Sequence, residues 1–399
     1  MNQNTQTLDP TNDGHWNRFL HEFRVRYDTT YLNHGSFGIA LNCARYQRDR
    51  FLRQMEIQPM DFYLRRHEPL LRSARQILAK FVGTKAQNLA FVDNATYAMN
   101  VVANSVDLQS GDEVLLTDQE YGAVKRIWEE KAARSGATVK WAKLPEKITD
   151  RQQVVDAFMN SVTPQTKIAV VSHVVSKTAL ILPVTEICKS LAERGVLSCV
   201  DGPHALLQLD FTINSIGCDF YTASCHKWLC GPLGTGFVFA KPRHAKKIKQ
   251  PITAWGRLLP NLPENWSEEF FWLGTRNVSA VLAIPTAIEF FRETGFDAVR
   301  ARLYHLATVA ETRLLETLGT ETIAPRSDRW YGSMAHVALP EKADFDGSQL
   351  QKALWEHDQI EVPVWETNGR WWIRVSTHLY NTPTQIEYLV NCLKRELSL

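Results

Sequence analysis

Between Leu89 and Phe239 the chain repeats one pattern, in which a short apolar run is followed by a longer stretch with helical spacing. Short runs that are apolar at nearly every position are typical of strands buried on both faces of a sheet. Strands that alternate with helices favour a mostly parallel sheet covered by helices, which is the α/β class. We predict seven strands, at 89–92, 113–116, 138–141, 167–171, 197–200, 219–222 and 235–239.

The pattern changes near residue 280, where long helical patterns and then strand-like pieces replace the alternation. A chain of 399 residues is also longer than one typical domain. We therefore predict a large domain at 31–279 and a smaller α+β domain at 280–399, with an arm at 1–30 that packs on the smaller domain. The stretch 255–272, rich in Trp, Pro and Asn, is the best candidate for a connecting loop.

Composition argues against several function classes. The 45 Lys and Arg residues nearly balance the 43 Asp and Glu residues, so we expect no nucleic-acid partner. The seven cysteines are odd in number and scattered, which favours reduced thiols and a cytoplasmic location. No zinc-knuckle pair and no His-x-x-x-His motif occurs, so we expect no metal site. The start of the chain lacks the apolar core of a signal peptide, and no run of about 18 apolar residues predicts a membrane span.

Two ionisable residues accompany predicted strands. Asp201 directly follows the strand at 197–200, so it lies at the edge of the sheet where open α/β folds bind ligands. Lys227 lies between the last two predicted strands, which disfavours an ordinary surface lysine. Taken alone, Asp201 could be the first residue of an Asp-Gly turn. Together, however, the two residues offer a nucleophilic amine and an anion.

A strand-to-helix junction adds donors for an anion. A helix begins near Ala95, and its backbone amides and the Thr96 hydroxyl could bind a phosphate, although an ordinary helix cap is the structural alternative. Ser224 and His226 flank Lys227 closely enough to contribute further donors. This set matches pyridoxal 5′-phosphate, which needs a lysine for a Schiff base, a carboxylate facing its ring nitrogen and donors for its phosphate.

Specific short segments extend this match along nearly the entire chain. They are LNHGSFG at 32–38, PMDF at 59–62, TDQEY at 117–121, SHVVSKT at 172–178, DGPH at 201–204, HKWL at 226–229 and GTR at 274–276. Together they resemble the class V aminotransferase family, which includes cysteine desulfurases, and within it most closely the isopenicillin N epimerases. The resemblance implies a pyridoxal phosphate enzyme of fold type I that forms a homodimer with active sites at the subunit interface.

The resemblance also implies roles for individual residues in binding the cofactor. Lys227 would carry the cofactor and Asp201 would face its ring nitrogen. Tyr121 stands where an aromatic residue stacks on the ring, and Thr275 stands where the phosphate of the partner subunit's cofactor is bound. The remaining contacts are Ala95, Thr96, Ser224 and His226 for the phosphate, and Ser176 and His204 for the phenolic oxygen.

The implied substrate is a small amino-acid-like molecule. Arg374 matches the arginine that binds the α-carboxylate through a two-pronged contact, although a surface strand arginine is the structural alternative. Asn33 and His34 are the other predicted substrate contacts. The loop at 361–371 contains no cysteine, whereas the desulfurases that resemble this chain place their persulfide nucleophile there. We therefore do not expect persulfide chemistry by that route.

Three reactions remain open once Lys227 has removed the α-proton of the substrate. Epimerisation returns a proton to the opposite face, and Tyr121 is the candidate second acid. Transamination returns the proton to the cofactor instead, and C–S lysis expels a β-thiol group first. The resemblance favours an epimerase or racemase, with a cysteine- or cystine-type C–S lyase or an aminotransferase as alternatives. A degenerate cofactor-binding scaffold is the non-enzyme alternative, but such a protein is expected to lose Lys227 or Asp201.

Overall fold

The structure of the protein is a computed structural model, which describes residues 8–257, 263, 265–341, 345–367 and 369–399. Parts of the predicted arm and of the predicted connecting loop lie outside these residues. The strands are β1 (Thr30–Tyr31), β2 (Leu89–Val92), β3 (Glu113–Thr117), β4 (Thr138–Ala142), β5 (Thr166–Ser172), β6 (Leu197–Asp201), β7 (Phe220–Ser224), β8 (Gly236–Ala240), β9 (Met334–Ala338), β10 (Ile360–Glu361), β11 (Val364–Thr367) and β12 (Arg370–Ser376).

Helices cover both faces of the sheet region and dominate the rest of the chain. They are α1 (Asp13–Trp16), α2 (Asn42–Ile57), α3 (Pro59–Asp61), α4 (His67–Phe81), α5 (Ala95–Ser105), α6 (Gly122–Ser135), α7 (Arg151–Met159), α8 (Val184–Glu193), α9 (Ile213–Ile216), α10 (Ser279–Leu282), α11 (Ile284–Thr294), α12 (Phe296–Leu318), α13 (Gly347–Asp358) and α14 (Pro383–Leu397). Among these described helices, none has the length and apolar character that crossing a bilayer requires.

The strands β2 to β8 form one seven-stranded sheet in the order β2-β8-β7-β6-β5-β3-β4. All neighbouring pairs are parallel except those of β8, which runs antiparallel to β2 and to β7. The inner strands β7 and β8 and the edge strand β2 are buried at every position, whereas β4 at the other edge is largely exposed. The seven predicted strands are all present close to their expected bounds, and the α/β prediction is confirmed.

The parallel pairing brings several strand ends to one edge of this sheet. Ser172 at the end of β5 is in register with Asp201 at the end of β6, which is in register with Thr222 of β7. Polar side chains at the carboxyl ends of parallel strands are thus placed side by side, at the edge where open α/β sheets bind ligands.

A second sheet is antiparallel, with the order β11-β12-β9. Arg374 of β12 pairs with His336 of β9, and Trp372 of β12 pairs with Trp365 of β11. Directly paired residues, and residues two apart on one strand, point to the same face of a sheet. Arg374, His336, Trp372 and Trp365 therefore share one face.

Two N-terminal elements contact the C-terminal half of the chain. β1 pairs in parallel with β10, and Asp13 of α1 forms an ion pair with Arg302 of α12. These contacts agree with an arm that packs on the smaller domain, but the domain bounds themselves stay a prediction.

Two segments differ from the expectations. The first of the long helical patterns predicted beyond residue 280 is broken into α10 and α11, because Pro285 occupies the first turn of α11 and cannot continue a helix from the residues before it. Within the predicted loop at 255–272, Trp266–Phe271 forms a 3₁₀ helix whose residues Trp266 and Phe270 are buried. Burial of large aromatic side chains is strongly favourable, so this segment packs on the protein and does not form a solvated linker.

Candidate active site

Lys227 lies in a tight turn that follows β7. Its carbonyl oxygen accepts a hydrogen bond from the Cys230 N–H at 2.9 Å, and Cys230 adopts a left-handed conformation with φ of 53°. The glycine-rich turn before α2 packs directly against this backbone, since a Cβ at Gly38 would lie 2.8 Å from the Lys227 Cα. Only glycine fits at this position, because a larger residue would clash with the backbone of the Lys227 turn.

The ring of His204 lies within hydrogen-bond distance of the Lys227 amine. Lys227 Nζ lies 3.0 Å from His204 Nε2, and Trp228 Nε1 lies 3.2 Å from Nδ1 of the same ring. The indole N–H can only donate, so Nδ1 is the acceptor and the neutral ring carries its proton on Nε2. That N–H can donate only to an uncharged amine. The contact therefore favours neutral Lys227.

Burial acts in the same direction. Burial, with a contribution from the positive charge of Arg374, lowers the pKa of Lys227 to about 8. Burial also holds the pKa of His204 well below its ordinary value, so the ring stays neutral. Lys227 is thus an amine that loses its proton close to neutral pH, as a nucleophile or a general base must.

Asp201 is a buried carboxyl group at the end of β6. One of its oxygens accepts a hydrogen bond from the Thr222 hydroxyl at 2.6 Å. Burial raises the pKa of Asp201 to about 6, although Thr222 and Lys227 both oppose this shift. A buried carboxyl group with so little compensation is suited to a cationic partner placed beside it.

Glu120 is a second buried carboxyl group, and the sequence reasoning assigned it no role. Its oxygens accept hydrogen bonds from the Thr117 hydroxyl at 2.7 Å and from the Ser172 hydroxyl and N–H at 2.6 and 3.0 Å. Burial raises its pKa to about 7, and the nearby Asp201 adds to the shift. Glu120 follows β3 closely, so the strand-end argument used for Asp201 could have found it. It anchors the turn that presents Tyr121, which is 50% exposed at the start of α6.

The predicted phosphate donors meet where β7 ends and α5 begins. The Ser224 hydroxyl oxygen accepts a hydrogen bond from the Ala95 N–H at 3.0 Å. Asn94 caps α5, and Thr96 is exposed on its first turn. Nδ1 of His226 is buried without a hydrogen-bond partner, and burial lowers the pKa of this histidine. A helix N-terminus with a hydroxyl and an unsatisfied ring nitrogen beside it suits an anion.

Arg374 is fully buried, and hydrogen bonds hold its guanidinium in a fixed position. Nη1 donates to the Ser176 carbonyl oxygen, and Nη2 donates to Asn33 Oδ1 at 3.2 Å and to the Ser36 hydroxyl at 3.1 Å. The guanidinium carbon lies 5.0 Å from the centre of the Trp365 ring. Burial lowers the pKa of Arg374 to about 10. Asn33, predicted to contact the substrate, thus contacts the arginine that is predicted to bind it.

His34 lies beneath the Lys227 turn and is fully buried. Its Nε2 is 3.1 Å from the Lys227 carbonyl oxygen, and its Nδ1 is 2.9 Å from the Tyr380 hydroxyl. Because a carbonyl can only accept, Nε2 carries the proton and Nδ1 accepts from Tyr380. In this position His34 supports the backbone of Lys227, and its predicted contact with substrate stays a prediction.

His34, Cys230 and His378 form a group whose ring nitrogens and sulfur lie within 4.8 Å of one another. Nε2 of His378 is 3.2 Å from the Trp228 carbonyl oxygen, so it carries a proton as Nε2 of His34 does. A protonated ring nitrogen has no lone pair to offer a metal ion. The group therefore acts as a hydrogen-bonded support for the Lys227 turn.

Thr275 is separate from the other predicted site residues. It is exposed in the wall of a cavity of about 590 Å³ that Arg72 and Trp272 also line. None of the other predicted site residues lines this cavity. Within the single chain the structure brings together the Lys227, Asp201, α5 and Arg374 groups. Thr275 has no described hydrogen bond to them, although its neighbour Arg276 forms an ion pair with Asp93, just before α5.

A family model described as aminotransferase class-V matches residues 65–389. The chain belongs to the class V aminotransferase family. An isopenicillin N epimerase from Amycolatopsis lactamdurans is 37% identical over 384 residues, covering 92% of this chain and 95% of that protein. A putative L-cysteine desulfhydrase from Oryza sativa subsp. japonica is 27% identical over 405 residues, covering 91% and 82%. A solved complex of a cystine C–S lyase with cysteine persulfide has a TM-score of 0.79 at 21% identity, covering 92% of this chain and 97% of that chain.

As a member of the class V aminotransferase family, this protein is a pyridoxal 5′-phosphate-dependent enzyme of fold type I. The residues present fit that cofactor. The buried Lys227 amine suits its aldehyde and the buried Asp201 carboxyl group suits its ring nitrogen. The unpartnered Nδ1 of His226 and the start of α5 suit its phosphate.

Proposed function

We propose that this enzyme is an epimerase or racemase of the isopenicillin N epimerase type, which inverts the α-carbon of an amino acid or an amino-acid-derived substrate. The proposal depends on the contact of 3.0 Å between Lys227 Nζ and His204 Nε2, which favours a neutral amine. Such an amine can take up and return an α-proton near neutral pH. The 37% identity with an epimerase over 92% of this chain supports inversion as the outcome.

Each charged residue of the site has a part in this reaction. Bound pyridoxal phosphate supplies an electron sink that makes the α-proton of the substrate acidic. Lys227 removes that proton, and the contact with His204 favours the uncharged amine. Asp201 holds the ring nitrogen of the cofactor protonated. Arg374, already fixed by its neighbours, binds the α-carboxylate and so orients the bond to the departing proton.

The remaining residues hold the cofactor or complete the site. Tyr121 covers the ring and supplies a proton to the opposite face. Thr275 reaches the phosphate of the partner subunit in a homodimer, and the exposure of Tyr121 and Thr275 in the single chain supports this arrangement. The other proposed contacts are Ala95, Thr96, Ser224 and His226 at the phosphate, and Ser176 and His204 at the phenolic oxygen.

A C–S lyase acting on cysteine or cystine derivatives is the second candidate. The similarity to an L-cysteine desulfhydrase over 91% of this chain supports it. The loop at 361–371 contains no cysteine, so a lyase of this kind would work without a persulfide nucleophile from that loop.

The test is a screen of amino acids for α-proton exchange by the holoenzyme in deuterated water. We expect exchange with inversion of configuration, and a loss of at least about 10³-fold in Lys227→Ala. Lys189→Ala, on an exposed face of α8, is the matched control and should react as the wild type does. Release of pyruvate or sulfide would instead identify a lyase, and a keto acid with aminated cofactor would identify an aminotransferase.

The same assay tests the second acid. Tyr121→Phe keeps the ring but removes the hydroxyl, so exchange should continue while the inverted product falls. Unchanged racemisation of a deuterated substrate would show that Tyr121 is not the acid.

A further inference from the structure

A cavity of about 260 Å³ lies against the face of the small sheet that carries Arg374. One wall consists of small-sheet residues, and the other consists of loops at the edge of the large sheet. The lining includes His336, Thr367, Arg370 and Trp372 on the first wall, and Gln119 and Thr178 on the second.

The cavity adjoins the place proposed for the α-carboxylate. His336 is paired in register with Arg374. Thr178 is two residues beyond Ser176, whose carbonyl oxygen accepts from Arg374. Gln119 is two residues before Tyr121. The cavity therefore lies next to residues that are proposed to hold the substrate, although none of those residues lines it.

Several buried polar atoms of the cavity wall have no hydrogen-bond partner. His336 is 1% exposed and both of its ring nitrogens are unpartnered, and Thr178 is 2% exposed with an unpartnered hydroxyl. The Thr367 hydroxyl and the Arg370 Nε are also buried and unpartnered. Buried polar groups in native proteins are nearly always satisfied, so such a cluster beside a cavity indicates a polar ligand.

Each of the unpartnered side chains can donate a hydrogen bond, although the hydroxyls and the neutral ring can also accept. Burial lowers the pKa of His336 to about 3, so its neutral ring offers one donor and one acceptor. The two threonine hydroxyls and the Arg370 Nε can each donate as well. Trp372 stacks on the His336 ring at 4.5 Å and 7°, which fixes the ring plane and offers an apolar surface for methylene groups.

The formal charges of the wall cancel, because Lys147 and Arg370 line it together with Glu146 and Glu321. Lys147, another lining residue, and Arg370 both bind the carboxylate of Glu321, each at 2.8 Å. A ligand in this cavity would therefore be bound by hydrogen-bond donors and not by a net positive charge. Oxygen acceptors suit this wall, whether they belong to a carboxylate or to a neutral amide.

We propose that this cavity binds the side chain of the substrate and selects side chains that end in acceptor oxygens, such as a carboxylate or a carboxamide. The inference rests on the proposed function, because it takes Arg374 as the ligand of the α-carboxylate. Thr178 and His336 are then specificity-determining residues.

The test is calorimetric titration of the holoenzyme with carboxylates that lack an amine and so cannot react. The probes are butanedioate, pentanedioate and hexanedioate, their monoamides, and hexanoate as the apolar ligand. We expect at least one dicarboxylate or monoamide to bind about tenfold more tightly than hexanoate, the change that one or two hydrogen bonds give.

Thr178→Val removes one hydroxyl at nearly constant volume. It should raise the Kd of the preferred probe about tenfold and that of hexanoate less than twofold. His336→Phe, which keeps the stack on Trp372 but removes both ring nitrogens, should show the same selectivity and covers the case in which Thr178→Val folds poorly. Thr84→Val is the matched control, because the Thr84 hydroxyl is equally buried and unpartnered but lies outside the cavity.

The inference is wrong if hexanoate binds as tightly as every oxygen-ended probe, or if both cavity variants weaken all probes alike. Failure of the proposed function gives a different result. An oxygen-selective cavity in an enzyme that releases pyruvate or sulfide, without inverting any amino acid, supports the cavity and rejects the epimerase.

Discussion

Two regions of the molecule differ in how completely their buried polar atoms are paired. In the Lys227 cluster, which consists of Lys227, His204, Trp228, Asp201 and Thr222, each side chain with a polar group has a partner inside the cluster. The cavity of about 260 Å³ that His336 and Thr178 line is called the His336 cavity. These two residues are its most deeply buried polar side chains, and their polar side-chain atoms have no hydrogen-bond partner.

The difference matches what each region is proposed to bind. The cofactor is the same in every turnover, so residues that touch it can be fixed in advance by one another, and such preorganisation favours catalysis. The side chain of a substrate arrives and leaves, and a wall with unpaired polar atoms discriminates by how well that side chain pairs them. Changes in the Lys227 cluster should therefore affect all substrates equally, and changes in the cavity should affect their relative rates.

Asp201→Asn should have the largest effect. The amide oxygen can still accept from Thr222, but the negative charge that holds the ring nitrogen protonated is gone. We expect kcat/KM for α-proton exchange to fall about 10³-fold for every substrate. Asp210→Asn is the control, because Asp210 has a side chain that is 86% exposed. A loss confined to substrates with one kind of side chain would break the distinction between the two regions.

The same substitution should stabilise the protein when the cofactor is absent. Burial raises the pKa of Asp201 from 3.8 to about 6, so ionising this group costs the folded state up to about 3 kcal/mol. The cost is absent below the unfolded pKa, grows as the pH rises toward the folded pKa, and is constant above it. Urea unfolding should therefore show a larger gain for Asp201→Asn at pH 8 than at pH 5. An equal gain at both pH values would exclude charge burial as its cause.

The Lys227 cluster could be predicted largely from the sequence. Asp201 and Lys227 stand beside apolar runs that were predicted as strands, and the carboxyl ends of parallel strands meet at one edge whatever the details of packing. The contacts of His204 with Trp228 and Lys227 could not be foreseen, because they depend on how the turn after β7 folds back.

The His336 cavity could not be predicted from the sequence. Its wall depends on the register between β9 and β12, and a shift of one residue would turn His336 to the opposite face. Thr178 joins it only through the packing of the large-sheet loops on the small sheet. His336 belongs to none of the segments that resemble the family. Thr178 is the last residue of one of them, SHVVSKT at 172–178, but no role was predicted for it.

Trp228→Phe should have the smallest effect and the most specific one. It keeps an aromatic ring but removes the N–H that places the His204 proton on Nε2. The ring can then carry its proton on Nδ1 and accept from charged Lys227 through Nε2, which raises the pKa of Lys227 above about 8.

The measurement is the pH dependence of cofactor capture by the cofactor-free protein, followed by the absorbance that develops when Lys227 binds the aldehyde. Only a neutral amine attacks, so a higher pKa moves the midpoint to higher pH and slows capture at neutral pH by up to about tenfold. Trp128→Phe, which alters another fully buried tryptophan, should leave the midpoint unchanged. Thr178→Val should leave it unchanged as well, since the cavity does not contact Lys227. A shift in Thr178→Val equal to that in Trp228→Phe would mean that the two regions act as one, and that the unpaired wall takes part in setting the charge of the lysine.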